Sequence, residues 1–152
     1  MIKTRPARPS DLAAIEHLLR ENGLPTAGVA EHLQGFSVAE DTGRLVASAG
    51  LEVYDGSALL RSVAVDRAYR NRGLAADLVR GLLEDGRGRG VADVFLLTTT
   101  AAGYFRRLGF SPIPRADIPR AVQVSREFQD GVCETAQVMT LRLPRAHEGG
   151  RR

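Results

Sequence analysis

The sequence predicts an α+β domain, a mixed α/β layered arrangement, and three observations carry that prediction. Short apolar stretches sit between turn signals, apolar residues recur at helical spacing in longer segments, and the two patterns succeed one another along the chain. The length of 152 residues, with 43% apolar and 26% charged content, suits one hydrophobic core. Residues 1–144 read as a single domain and 145–152 as a disordered basic tail.

The elements follow in order. Ile2 to Arg5 is a short strand. After Pro9, the Ser10 hydroxyl is placed to cap a helix whose apolar face is Leu12, Ile15, Leu18 and Leu19, ended by Gly23. A helical turn follows around Val29 to Leu33. Phe36 to Glu40 and Leu45 to Tyr54 are strands joined at Asp41-Thr42-Gly43, and Asp55-Gly56 turns the chain into a third, Leu59 to Val65, which completes an antiparallel meander. From Gly73 the spacing changes to Leu74, Leu78 and Leu82 with Val79 and Leu83 beside them, an amphipathic helix. Val94 to Thr98 returns to strand and Ala101 to Leu108 to helix, with Gly109 as its terminator. Pro112, Pro114 and Pro119 mark a loop with a short helix near Asp117 to Val124, and Ala136 to Leu143 is the last strand.

Composition narrows the function classes. No apolar run approaches the ~18 residues of a membrane span, and the start lacks a secretory signal, so no membrane partner is expected and a cytoplasmic location is. One cysteine, Cys133, and three scattered histidines leave no metal-ligand spacing, so no metal is expected. Lys+Arg of 21 against Asp+Glu of 18 gives a net charge of +3 with the signs interspersed; with 5% aromatics and no Trp, a nucleic-acid partner is not expected.

The chemically informative stretch runs from Leu59 to Ala76. A strand passes through a Gly-containing turn directly into a helix, where unpaired backbone N–H groups meet the positive end of the helix dipole, an arrangement suited to phosphate. Gly73 lets an anion approach the backbone, Ala75 and Ala76 leave room above it, and Arg70 and Arg72 add charge; an ordinary βα turn with solvated arginines is the alternative. The Walker lysine and the full GxGxxG are both absent.

Arg70-Asn71-Arg72-Gly73-Leu74-Ala75 resembles the Q/R-x-x-G-x-G/A hallmark of the GNAT family of N-acetyltransferases, and Ala101 to Phe110 is similar to that family's A-x-x-x-Y-x-x-x-G-F segment. Leu59 to Val65, Leu96 to Thr100 and Glu127-Phe128 resemble the arsenic-resistance-associated N-acetyltransferase branch. The resemblance implies a twisted, mostly antiparallel sheet of six to seven strands flanked by about four helices, and acetyl-CoA as cosubstrate. It places the pyrophosphate on Arg70, Asn71, Arg72, Gly73, Leu74, Ala75 and Ala76, and pantetheine along Val63, Ala64 and Val65, where the strands around Val65 and Val94 splay. Thr98 falls where relatives carry a cofactor-touching asparagine, and Phe105 falls where many carry the tyrosine general acid, which leaves Tyr104, one residue away, as the candidate acid. A homodimer is also implied.

Acetyl transfer to an amine needs a base, a polarised thioester carbonyl and a proton for the thiolate. Glu52 is the candidate base. A four-residue loop, Asp55 to Ala58, would set it opposite Arg61, so a cross-strand ion pair is the alternative for both residues. Arg61 otherwise clamps a carboxylate on the acceptor. The expected acceptor is a small-molecule amine, amino-acid-like or toxic, with an arsenic-related compound among the candidates; the rivals are acetylation of a protein or peptide and a non-catalytic acyl-CoA sensor. Cys133 reads as a packed apolar residue, and His17 and His32 as weaker site candidates.

Overall fold

The structure, a computed structural model, describes residues 1–128 and 135–145. These hold the strands β1 (Ile2–Pro6), β2 (Phe36–Asp41), β3 (Arg44–Tyr54), β4 (Ser57–Val65), β5 (Asp93–Thr98), β6 (Ser111–Pro112) and β7 (Gln137–Arg142). The α-helices are α1 (Leu12–Glu21), α2 (Leu74–Gly88), α3 (Ala102–Arg107) and α4 (Arg120–Gln123). The strand order is β1-β2-β3-β4-β5-β7-β6. β4 and β5 run parallel, and β1 with β2, β2 with β3, β5 with β7 and β6 with β7 are antiparallel. The expected α+β class, with seven mostly antiparallel strands, is therefore the observed one.

The chain divides into two compact units: Met1–Leu51 with Arg61–Leu82, and Glu52–Leu60 with the described residues from Leu83 on. In the first, β2 and β3 are joined by Thr42 (φ +51°) and Gly43 (φ +85°). Two left-handed residues in succession give the hairpin turn whose twist matches that of the flanking strands. One face of α1 buries Ile15, Leu18 and Leu19 with Val29, Phe36, Val38 and Ala64.

The start of α1 corrects the expectation that Ser10 caps it. A 3-10 turn, Pro9–Asp11, leads into the helix, and Asp11 takes the backbone N–H of Arg8 at 2.7 Å. The same carboxylate is gripped by both terminal nitrogens of Arg5 at 2.8 and 3.0 Å, while Arg5 Nε donates to Glu40 at 3.2 Å. Asp11, not Ser10, stands at the N-cap position of α1, and its carboxylate, held by Arg5 and the Arg8 amide, makes no side-chain cap hydrogen bond to that helix.

In the second unit β4 pairs with β5 from Ser57↔Asp93 to Leu59↔Phe95, and β5 pairs with β7 from Asp93↔Arg142 to Thr98↔Gln137. Leu59, Phe95, Ile118, Val122 and Val138 form its core, with Tyr54, Leu97, Ile113 and Phe128 packed against them. The β3–β4 connection is Asp55-Gly56 alone, not the four-residue loop expected, because Ser57 and Ala58 are drawn into β4 by their partners Asp93 and Val94. The Pro-rich loop also holds a short strand, β6, paired at Ser111↔Thr140 and Pro112↔Met139. β6 is the last strand in the order, where a proline's missing N–H costs nothing. Cys133 and residues 146–152 of the expected tail lie outside the described residues.

Candidate active site

The turn between β4 and α2 is held by short-range bonds. Asp66 donates its backbone N–H to the Val46 carbonyl at 2.8 Å, and its side chain accepts from Ala68 N–H at 2.9 Å and from Arg44 at 2.9 Å. The Tyr69 hydroxyl donates to Asp41 at 2.7 Å, which holds the Asp41 carboxyl below the usual carboxylate range and pushes the Tyr69 phenol up. Asn71 (φ +67°) and Gly73 (φ +78°) are both left-handed. The first amide of α2 bonded back along the chain is Asp77 N–H, to Gly73 O at 3.0 Å. The amides of Leu74, Ala75 and Ala76 therefore precede the helical ladder and supply the orphan donors that phosphate seeks. A Cβ built on Gly73 meets nothing within 4 Å, so no other group crowds the turn at Gly73.

The two arginines are placed differently from a simple picture of free cations. Arg70 donates to Asn22 Oδ1 at 2.9 Å and to the Val65 carbonyl at 3.4 Å, and the Arg72 guanidinium stacks over the Tyr69 ring at 4.8 Å. Both residues are exposed, so their charge still bears on the turn.

Upstream in β4, Ala64 is buried and Val63 and Val65 are half-buried. Arg61 is 3% exposed; its Nε donates to Ser62 Oγ at 2.9 Å and its Nη2 to the Pro25 carbonyl at 3.4 Å. Ser62 is buried with φ +58°, and its carbonyl accepts from the Ser48 hydroxyl at 2.8 Å. A non-glycine residue there is strained, and two hydroxyl contacts hold it in place. Arg61 thus ties β4 to the loop after α1, a structural task that the sequence alone did not suggest.

In the second unit, Glu52 has no exposed surface and accepts a hydrogen bond from the Tyr54 hydroxyl at 2.5 Å. The two residues sit at i and i+2 on β3 and so share a face. Tyr54 was missed by sequence reasoning, although that spacing from a candidate base was the available signal. Thr98 is buried, and its Oγ1 accepts the N–H of Ala101 at 2.9 Å, closing β5 into α3. Phe105 is buried with its ring edge-on to Phe110 at 6.0 Å, and Tyr104 is half-buried, edge-on to Phe105 at 5.3 Å and under Arg107 at 5.8 Å. His17 lies on the exposed face of α1, 3.4 Å from Glu21, and His32 lies in the helical turn Ala30–Gly35. Among the described residues no group of three or more His, Cys, Asp or Glu is placed to hold a metal ion, and no helix is long and apolar enough to cross a membrane.

Known proteins give this geometry its context. The amino-acid acetyltransferase of Pseudomonas aeruginosa is 34% identical over 99 residues, covering 64% of this chain and 23% of its own length. That of Azotobacter vinelandii is 31% identical over 145 residues, 88% of this chain and 34% of its own. The chain spans about a quarter to a third of the length of these curated relatives. Among solved structures, Rv2747 from Mycobacterium tuberculosis, in complex with CoA, superimposes with a TM-score of 0.79 at 28% identity over 93% of this chain and 99% of that one. N-acetylglutamate synthase from Neisseria gonorrhoeae, solved with coenzyme A and N-acetyl-glutamate, shares the fold with a TM-score of 0.81 at 22% identity, covering 95% of this chain and 36% of that one. The model of the Acetyltransferase (GNAT) family matches residues 6–110, and the chain belongs to that family.

Proposed function

We propose that this protein transfers the acetyl group of acetyl-CoA to the amine of a small, amino-acid-like molecule. The observation that carries the reading is the β4–α2 turn, where the first amides of a 15-residue helix follow a left-handed Gly73 that no other group crowds. In this reading Arg70 to Ala76 take the diphosphate, and Val63, Ala64 and Val65 take pantetheine, with Thr98 and Phe105 as further cofactor contacts. The amino-acid acceptor is supported by the relatives named amino-acid acetyltransferases.

The reaction joins a neutral amine nitrogen to the thioester carbonyl carbon as the C–S bond breaks, and the proton lost by nitrogen ends on sulfur. A main-chain N–H of Val63 to Val65 aimed at the carbonyl oxygen is worth ~10²–10³ in rate. Glu52 is the base, worth ~10²–10⁴. Because it has no exposed surface, it meets the amine through an intervening polar group or water. Arg61 is the clamp for an acceptor carboxylate, and Tyr104 the acid that protonates the thiolate. Acetyl-CoA is a metabolite of the cell interior, so a cytoplasmic place of action goes with this reading. An arsenic-bearing acceptor rests on the resemblance of Leu59 to Val65, Leu96 to Thr100 and Glu127-Phe128, and a homodimer on the family.

One experiment tests these together: release of CoA thiol from acetyl-CoA with amino acids, amino-acid analogues carrying arsenic or phosphorus, and short peptides with free N-termini. Turnover of an amino acid or analogue supports the reading. Turnover of peptides alone makes it a peptide acetyltransferase. Binding of acetyl-CoA without turnover makes it an acyl-CoA sensor, a reading that the buried Phe105 in the family's tyrosine position favours. Sedimentation of the purified chain decides the homodimer.

A further inference from the structure

Resting on the acetyltransferase reading, we infer that Tyr54 is the outer terminal of the base: a proton relay that carries the acceptor's proton to a carboxylate the acceptor cannot touch. Glu52 has no exposed surface and lies within an apolar strand between Leu51 and Val53. Burying an ionisable group there opposes folding compared with an apolar residue of similar size, so its presence calls for a use. A base needs contact with the proton that it removes, directly or through one hydrogen-bonding group. The structure supplies such a group in Tyr54, which is half-buried and has its hydroxyl 2.5 Å from Glu52 Oε1. That separation is at the short end for a hydroxyl on an ionised carboxylate, the charge-assisted case in which transfer along the bond is easiest.

The position of Tyr54 fits the task. It is the last residue of β3, separated from β4 by Asp55-Gly56, so the strand end presents it while Glu52 stays inside. Its ring packs against the cluster of Leu59, Phe95, Ile118, Val122 and Val138, which fixes the direction of the hydroxyl. As nitrogen attacks the thioester, the N–H proton passes to Tyr54 Oη while the phenolic proton passes to Glu52 Oε1. The C–N bond forms and the C–S bond breaks; Tyr104 gives its proton to the thiolate, and the proton held on Glu52 leaves through Tyr54 to solvent, from which Tyr104 is reprotonated. No charge is left on Tyr54, and no further reactant is required.

The test is a double-mutant cycle with Tyr54→Phe and Glu52→Gln, assayed with acetyl-CoA and L-glutamate or a better amine from the acceptor screen. Tyr54→Phe keeps the packed ring and removes only the oxygen. In a relay the two residues act as one unit, so each single variant and the double variant lose kcat to the same extent, within threefold, by 10²-fold or more. KM for acetyl-CoA stays within twofold, which a loss of folding or general packing would not produce. A Tyr54→Phe loss at least tenfold smaller than that of Glu52→Gln overturns the relay, as do losses that multiply in the double variant. Should Glu52→Gln not fold, a Tyr54→Phe kcat within threefold of the wild type overturns it unaided. Those results leave acetyl transfer by the wild type intact, whereas acetyl-CoA binding without turnover of any amine removes the transferase reading and the relay with it.

Discussion

Gly73 offers the sharpest test of the anion site, because two near-identical substitutions separate backbone strain from charge. Its φ of +78° is one that asparagine and aspartate tolerate better than other side chains, and a new Cβ meets nothing within 4 Å. Gly73→Asn and Gly73→Asp should therefore cost the same stability, about 1 kcal/mol, or a fall in Tm of about 2–4 °C for a chain of this size. They differ in one negative charge, and a separation of about 6 Å from a diphosphate on this turn serves as the working value. At an effective dielectric of ~20 that repulsion is about 3 kcal/mol per unit charge, or roughly 100-fold in affinity. Screening at an exposed turn reduces it, so Gly73→Asp should bind acetyl-CoA at least about tenfold more weakly than Gly73→Asn, with the gap closing as salt is raised. Titration calorimetry measures both. Acetyl-pantetheine, which lacks the diphosphate, should not distinguish the two variants. Equal affinities of Asn and Asp variants for acetyl-CoA would refute a diphosphate on this turn.

Three further outcomes follow from the same geometry. The Arg5 guanidinium holds the Asp11 carboxyl below its usual range, so Asp11→Asn should destabilise the fold by about 2 kcal/mol at pH 7. A lowered folded-state value gives stability that is present above the unfolded value of about 4 and fades as pH falls through the folded one. Urea denaturation should accordingly show the wild-type advantage shrinking toward pH 3, and an unchanged gap would contradict the ion pair. Gly35→Ala drives a Cβ into the Leu51 carbonyl oxygen and should destabilise by about 2 kcal/mol or more, whereas Gly81→Ala, in open space within α2, should stabilise by about 0.5–1 kcal/mol; thermal melts check the sign of each. Arg61→Met strips the Ser62 hydroxyl and the Pro25 carbonyl of a buried donor and should cost about 2–3 kcal/mol. If Arg61 also clamps the acceptor, KM should rise for carboxylated amines and not for their decarboxylated counterparts.

What was legible in the sequence divides along physical lines. Strands and helices were readable wherever apolar spacing was sustained, as at Leu74, Leu78 and Leu82, since burial of one face is written into the period. The strand–glycine–helix turn from Val65 to Leu74 was readable because its three parts are contiguous in the chain. The missed details depend on partners distant in sequence. Ser10 and Asp11 both read as caps, and the grip of Arg5 on Asp11, which draws that carboxylate away from capping α1, is written in no local pattern. Ser57 and Ala58 are poor strand formers carried into β4 by Asp93 and Val94, and β6 exists as two residues because β7 lies beside it. The contacts of Arg61 with Pro25 and of Arg70 with Asn22 join residues whose closeness no local pattern announces.

The anchoring of the β4–α2 turn bears on how a ligand would arrive there. Asp66, Tyr69 and Arg70 fasten the segment to Val46, Asp41 and Asn22 through the protein's own hydrogen bonds. Little conformational freedom is then left to lose when an anion docks, and association should be a single fast step governed by diffusion and ionic strength, without a slow ordering phase.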